Sequence, residues 1–266
     1  MAKIVEAEKK EILKTLRALG DTHGPERVYR DWCNMFALAI SNGVTPRGSE
    51  LWKRRENEYE AIRKTYGDIA PFADMSAHLV NIFEAEPFDD HLGRIYMECF
   101  GGNKHLGQCF TPYSLSQAVA SLAIGEPVAE FKTANDCACG GGALLIAACE
   151  HYHKAGVNYQ TYLKLFAEDL DALCVHMCYI QLSLIGARAI VTRRNTLTME
   201  TFERFVTPME YFWPATLGIP EKAAEKPQNG AIEQKTGASS PETIKAPQRS
   251  NLGERRPIQL RLFPEV

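Results

Sequence analysis

No apolar run in this chain approaches the length of a membrane span, and the opening residues, M-A-K-I-V-E-A-E-K-K, lack the apolar stretch of a signal peptide. These two absences predict a cytoplasmic chain with no membrane partner. Zinc-type C-x-x-C pairs are also missing, although there are eight cysteines. Reducing compartments rarely keep disulfides, so these cysteines read as reduced, mostly buried small residues. Cys137-x-Cys139 and Cys174-x-x-x-Cys178 offer ligand atoms beside His151, His153 or His176. Their spacings depart from the usual zinc pairs, and Cys174 and Cys178 share one face of an apolar helix, so no metal is expected.

Large apolar residues become scarce from Pro220 onward, where Lys, Glu, Gln, Pro, Ser and Gly take over until the last few positions. Such a composition cannot bury enough surface to offset the entropy of ordering, which predicts a disordered tail over 219–266. The chain also lacks an excess of positive charge. Of 30 basic and 33 acidic residues, 8 and 6 lie from Glu221 onward, leaving 22 and 27 in the body, which is net acidic.

The first ninety residues read as a helical layer, 1–90. Val28, Trp32, Met35, Phe36 and Ala39 fall at helical spacing over Arg27 to Ile40; Ser49 and Glu50 open a second helix that runs to Tyr66; Asp74 to Phe83 gives a third. From Lys132 the pattern alternates: strand Lys132 to Cys137, helix Ala143 to Lys154, strand Tyr162 to Glu168, helix Leu173 to Ile185, strand Ala189 to Arg193. Strands separated by helices of that length predict parallel pairing with right-handed crossovers, hence an α/β domain over 91–218. A ligand would bind at the carboxyl ends of those strands.

Two strings sit at those ends. Gly107 to Pro112 reads G-Q-C-F-T-P, and Asn135 to Ala143 reads N-D-C-A-C-G-G-G-A. Gly140, Gly141 and Gly142 permit dihedrals and ligand approach that side chains would block, and the helix that follows offers unpaired amides. Ordinary strand-to-helix turns use glycines as often as cofactor sites do, so the pairing with F-T-P is what points to a nucleotide cofactor.

In these strings the chain resembles the S-adenosylmethionine-dependent, adenine-specific DNA methylases, especially the methylation subunits of type I restriction systems and short phage or plasmid relatives. The family carries G-Q-x-F-T-P before D-P-A-C-G-S/T-G-G; here Cys137 replaces the proline and Gly141 the serine or threonine. The resemblance continues through F-A-E-D-L-D (Phe166 to Asp171), Q-L-S-L-I-G-A-R-A and Asn195-Thr196-Leu197, covering roughly Asp90 to Pro208. It implies a Rossmann-like methyltransferase sheet and DNA as partner. By the same resemblance Phe110, Thr111 and Pro112 would close over the methionine end of the cofactor, and Asp136, Gly140 and Gly142 belong to the turn that holds it. Asp169 would accept the ribose hydroxyls. Asp171 matches a second acid and alternatively caps the next helix. Asn195 stands where many relatives place an aspartate near the adenine amine.

The family's N-P-P-F/Y or D-P-P-F/Y string, which orients the target amine, is absent. The nearest segment is Phe202 to Tyr211, in which Thr207 and Pro208 could be a degenerate remnant. The sheet also looks short: full methylases have about seven strands, and after Arg194 there is room for one more. The first strand would be an open edge unless the N-terminal helices, Phe202 to Trp213 or a partner covers it. Two readings follow: a methylase whose missing acceptor and DNA-reading parts come from a specificity or partner subunit or from a compact divergent motif, or a degenerate methylase that regulates or blocks restriction or replication. Contact with DNA would need a local basic patch. Lys53, Arg54, Arg55, Arg63 and Lys64 form one candidate, with a solvated helix face as its alternative, and Arg188, Arg193 and Arg194 form another.

Near the C-terminus, Gln259-Leu260-Arg261-Leu262-Phe263 resembles the Q-L-x-L-F peptides that dock on the bacterial sliding clamp. All four specified positions, Gln259, Leu260, Leu262 and Phe263, match. The alternative is a terminus that folds back over an apolar edge of its own body.

Overall fold

The computed structural model describes residues 1–101 and 110–217, so the expected tail and its terminal peptide lie outside the described residues. Met1–Trp213 forms one compact unit. Among the described residues no helix is long and apolar enough to cross a membrane.

Five helices come first: α1 (Ala2–His23), α2 (Pro25–Val44), α3 (Glu50–Tyr66), α4 (Ala70–Ala85) and α5 (His91–Phe100). The spacing of Val28, Trp32 and Phe36 reports α2 correctly, and α2 lies buried among α1, α3 and a later helix of the sheet domain. Burying each large side chain of this kind contributes about 1.5–3 kcal/mol. The Ser49 hydroxyl accepts the Trp52 amide at 3.2 Å and caps α3, as its position predicts. The sequence reading missed α1, whose stripe of Ile12, Leu13 and Leu16 follows a run of Lys and Glu. It missed α5 as well, which Asp90 starts by accepting the Gly93 amide.

Next come α6 (Tyr113–Ile124), β1 (Lys132–Asp136), α7 (Ala143–Lys154), the short α8 (Tyr159–Tyr162), β2 (Leu163–Asp169), α9 (Ala172–Leu184), β3 (Arg188–Asn195), β4 (Glu200–Val206) and α10 (Pro208–Leu217). The sheet order is β1-β2-β3-β4, and the first three strands are parallel. Every residue of α9 from Leu173 to Ser183 is buried, which suits a helix covered on all sides.

The last strand, β4, runs antiparallel along β3. Segment Phe202 to Trp213 therefore covers the β3 edge and not β1. Among the described residues β1 pairs with β2 alone, and its Thr133 and Asn135 are exposed.

Arg188, read from sequence as a basic surface candidate, is instead a core residue at 1 % exposure. Its guanidinium lies 3.9 Å from the Trp213 ring centre and its Nε donates to Glu210 at 2.9 Å, while Lys164 pairs with the same carboxylate. Arg55 is likewise buried. It donates to the Arg204 carbonyl at 2.9 Å and stacks on Phe205, fastening α3 to β4.

Candidate cofactor cleft

Strand β1 ends at Asp136, and the chain turns through Cys139 and three glycines into α7. Gly140 and Gly142 have φ of 52° and 94°, in the left-handed region that favours glycine. A Cβ on Gly140 would stand 3.2 Å from the Phe110 ring, and one on Gly142 would stand 2.9 Å from the Cys178 sulfur. The turn is tied to the end of β2: Asp169 accepts the Gly140 amide at 3.0 Å, and the Cys139 amide donates to the Glu168 carbonyl at 2.9 Å.

Between this turn and α6 lies a cleft of about 290 Å³. Four of the residues expected to hold the cofactor line it: Phe110, Thr111, Asp136 and Gly140. Asp90 and Ser116, which the sequence reading did not single out, line it too, and Leu115, Val119 and Leu144 supply apolar wall. Among the described residues, two carboxylates and no lysine, arginine or histidine face the space. Burial raises the Asp136 carboxyl above its ordinary range; the Ala138 amide, donating at 3.1 Å, works against that, and nearby Asp169 adds to it. Burial raises Asp90 as well, opposed by the donors Gln181 and Gly93.

Gln181, fully buried on α9, joins three elements. Its Nε2 donates to Asp90 at 2.8 Å and to the Gly141 carbonyl at 2.7 Å, and its Oε1 accepts the Leu92 amide at 3.0 Å. A Cβ on Gly141 would lie 2.7 Å from the Asp90 carboxylate. The acid thus occupies the space that the serine or threonine of similar chains would need. Sequence carried a signal for Asp90, an aspartate just before an apolar helical run. Gln181 carried none beyond its polarity in an apolar helix.

Other expected site residues lie around the cleft or away from it. Pro112 is exposed and starts α6, its carbonyl accepting the Leu115 and Ser116 amides, while Gly107 lies outside the described residues. Asp169 stands behind the turn with one oxygen on Gly140 and the other on the Asp171 amide. Asp171 caps α9 through the Leu173 amide and pairs with Arg30, in keeping with its capping alternative. The Asn195 side-chain oxygen accepts the Leu197 and Thr198 amides and shapes the β3–β4 hairpin.

Thr207 and Pro208 do not reach the cleft, contrary to the expected remnant of an acceptor motif. Thr207 is wholly buried, donating to the Ala187 carbonyl at 2.7 Å and accepting the Ala189 amide at 2.9 Å. Those residues flank the start of β3, whereas the glycine turn is tied to the finish of β2, its parallel neighbour. Four of the remaining basic candidates are engaged locally: Lys53 with Glu50, Arg63 with Glu60, Arg194 with Glu168, and Arg193 with the Leu170 carbonyl and the Phe202 ring.

No curated protein and no solved structure matches the chain. A family model does: N-6 DNA methylase, over residues 88–212. That span begins just before Asp90 and takes in the cleft, the whole sheet and the first turn of α10, so the part of the chain built around this cleft is similar to the N-6 DNA methylase family.

Proposed function

We propose that the domain binds S-adenosylmethionine in the Asp90–Asp136 cleft and serves methyl transfer to the exocyclic amine of adenine in DNA, with the group that orients the amine supplied by a partner or specificity subunit. The observation that carries this reading is the acid-lined cleft beside a glycine turn. Nucleotides that present phosphates to such a turn would meet two carboxylates and, among the described residues, no cation. A ligand with a sulfonium and an ammonium would meet opposite charge, which also lowers the cost of burying the acids. Asp169 holds the turn through the Gly140 amide, and a ribose that reached past the turn would meet its remaining lone pairs.

The bound cofactor would supply an electrophilic methyl group; the chain's part is to hold it and exclude water. Thr207's place at the far end of the sheet favours a second reading for the isolated chain: a cofactor-binding protein without turnover that acts on restriction or replication through its partners. A restriction-modification or mobile-element setting rests on the sequence resemblance.

Titration calorimetry with S-adenosylmethionine and with ATP tests the first step. Saturable binding of the former and none of the latter is expected; no binding at millimolar S-adenosylmethionine would remove both readings. Radiolabelled methyl transfer to mixed-sequence DNA then separates the two. The chain alone is expected to be slow or inactive because it lacks base positioning, a large share of the rate, and turnover restored by a partner subunit supports the first reading.

A further inference from the structure

Strand β1 leaves one side of the sheet open. Among the described residues it pairs with β2 alone, so its other side presents the row of amides and carbonyls that a further strand joins. Helix α6 adjoins that edge, since its Leu115 and Val119 share the cleft wall with Asp136. Through Tyr113 and Gln117 the helix bonds Glu150 of α7, and its outer face carries Leu115, Val119 and Leu122, the last 85 % exposed. None of its 12 residues is charged. A helix face that meets water ordinarily carries charged side chains, and an exposed apolar one without them marks an interface.

Charge identifies the occupant. Lys132-Thr133-Ala134-Asn135-Asp136 is complementary to its own reverse. In an antiparallel pair centred on Ala134, Lys132 of one copy stands opposite Asp136 of the other, Thr133 opposite Asn135, and Ala134 opposite Ala134. A parallel pair in register would set lysine on lysine and aspartate on aspartate instead. Within one copy neither charge is matched: among the described residues Lys132 pairs with no acid, and no cation stands by the Asp136 carboxyl. We infer that two copies of the chain join through β1, antiparallel about a two-fold axis at Ala134, with the uncharged faces of their α6 helices meeting beside the seam. The two four-stranded sheets become one of eight strands. Such an interface is isologous, so each ion pair and each apolar contact occurs twice, and an uncharged helix face meets its own copy without like-charge repulsion. The inference uses the free edge and the outer face of α6 and does not depend on the cofactor reading.

Analytical ultracentrifugation of the whole chain over a dilution series tests it, and the mass of two copies is expected at the higher concentrations. Lys132→Asp sets aspartate against aspartate at both ends of the pair, and Asp136→Lys sets lysine against lysine. Each variant alone is expected to dimerise about tenfold more weakly or worse, the scale of two cross-strand ion pairs turned repulsive. Mixing the two restores both opposite-charge pairs, so the mixture is expected to regain a dimer of parental strength, which structural damage by either substitution would not allow. Leu122→Glu serves as a second variant should Asp136→Lys fail to fold. At a position already exposed it places like charges at the seam, and it is expected to weaken the dimer while leaving circular dichroism unchanged. A parent that keeps the mass of one copy throughout overturns the inference and gives the edge to another occupant, residues 218–266 or a different protein. A dimer left at parental strength by Lys132→Asp, or by Leu122→Glu, puts the interface elsewhere and overturns it too. So does a mixture of the two folded charge variants that associates no better than each alone.

Discussion

His176 lies on α9 at 5 % exposure with its ring edge against Phe205, and burial, aided by Arg193, pulls its pKa down from the usual 6.5 to about 4. The folded protein thus resists a proton that the unfolded chain accepts. That contribution to stability is complete above about pH 6.5 and is lost as pH falls toward 4, up to about 3 kcal/mol at about 1.36 kcal/mol per unit. Asp90 and Asp136, raised by burial, oppose it over part of the same range, so the comparison has to be between variants. Urea melts from pH 7 to 4 are expected to show the parent losing more stability than His176→Gln; parallel curves would mean that the ring stays solvated. Single positions around the turn were readable in the sequence for a related reason. A glycine before an apolar helix, or an aspartate one residue before it, has few uses, and Gly140, Gly142 and Asp171 have those uses here. Asp90 was harder to find because its partners Gln181 and Gly141 are 91 and 51 positions away, and no local pattern links them.

Among the elements, α7 and the three parallel strands were legible because apolar runs of fixed length alternate with turns. The helix α1 was not, since its buried stripe is narrow and its first ten residues are mostly charged or exposed. Strand β4 was legible only as room for a strand. Which edge it covers depends on the Asn195 hairpin and on the anchor at Thr207, Arg188 and Glu210, contacts that join separate segments. This anchor gives Thr207 a structural task at the start of β3. Thr207→Val would keep the shape and lose both hydrogen bonds, leaving the Ala189 amide unmet in the interior. A loss of about 1–3 kcal/mol in chemical denaturation is expected, with S-adenosylmethionine affinity unchanged for the folded fraction. A variant of parental stability that binds or transfers more weakly would return Thr207 to the site.

At the scale of the molecule, an acidic body that buries Arg55 and Arg188, two of its candidate DNA contacts, has little to hold DNA with, and the C-terminal peptide offers a remedy. Tethering Gln259, Leu260, Leu262 and Phe263 to a sliding clamp would raise the local concentration of DNA without any basic patch. Fluorescence anisotropy with purified bacterial clamp is expected to give micromolar affinity that vanishes when Leu262 and Phe263 are both changed to alanine; no binding by the parent, or equal binding by the double variant, rejects the clamp as partner.

The capping role of Asp90 has a thermodynamic corollary. One carboxylate both starts α5 and faces the cleft, so ligand occupancy and fraying of the first turn of α5 share a free energy. A ligand that draws on Asp90 redistributes that free energy between the cleft and the Gly93 amide, and the protection of this amide against hydrogen exchange becomes a gauge of how full the cleft is.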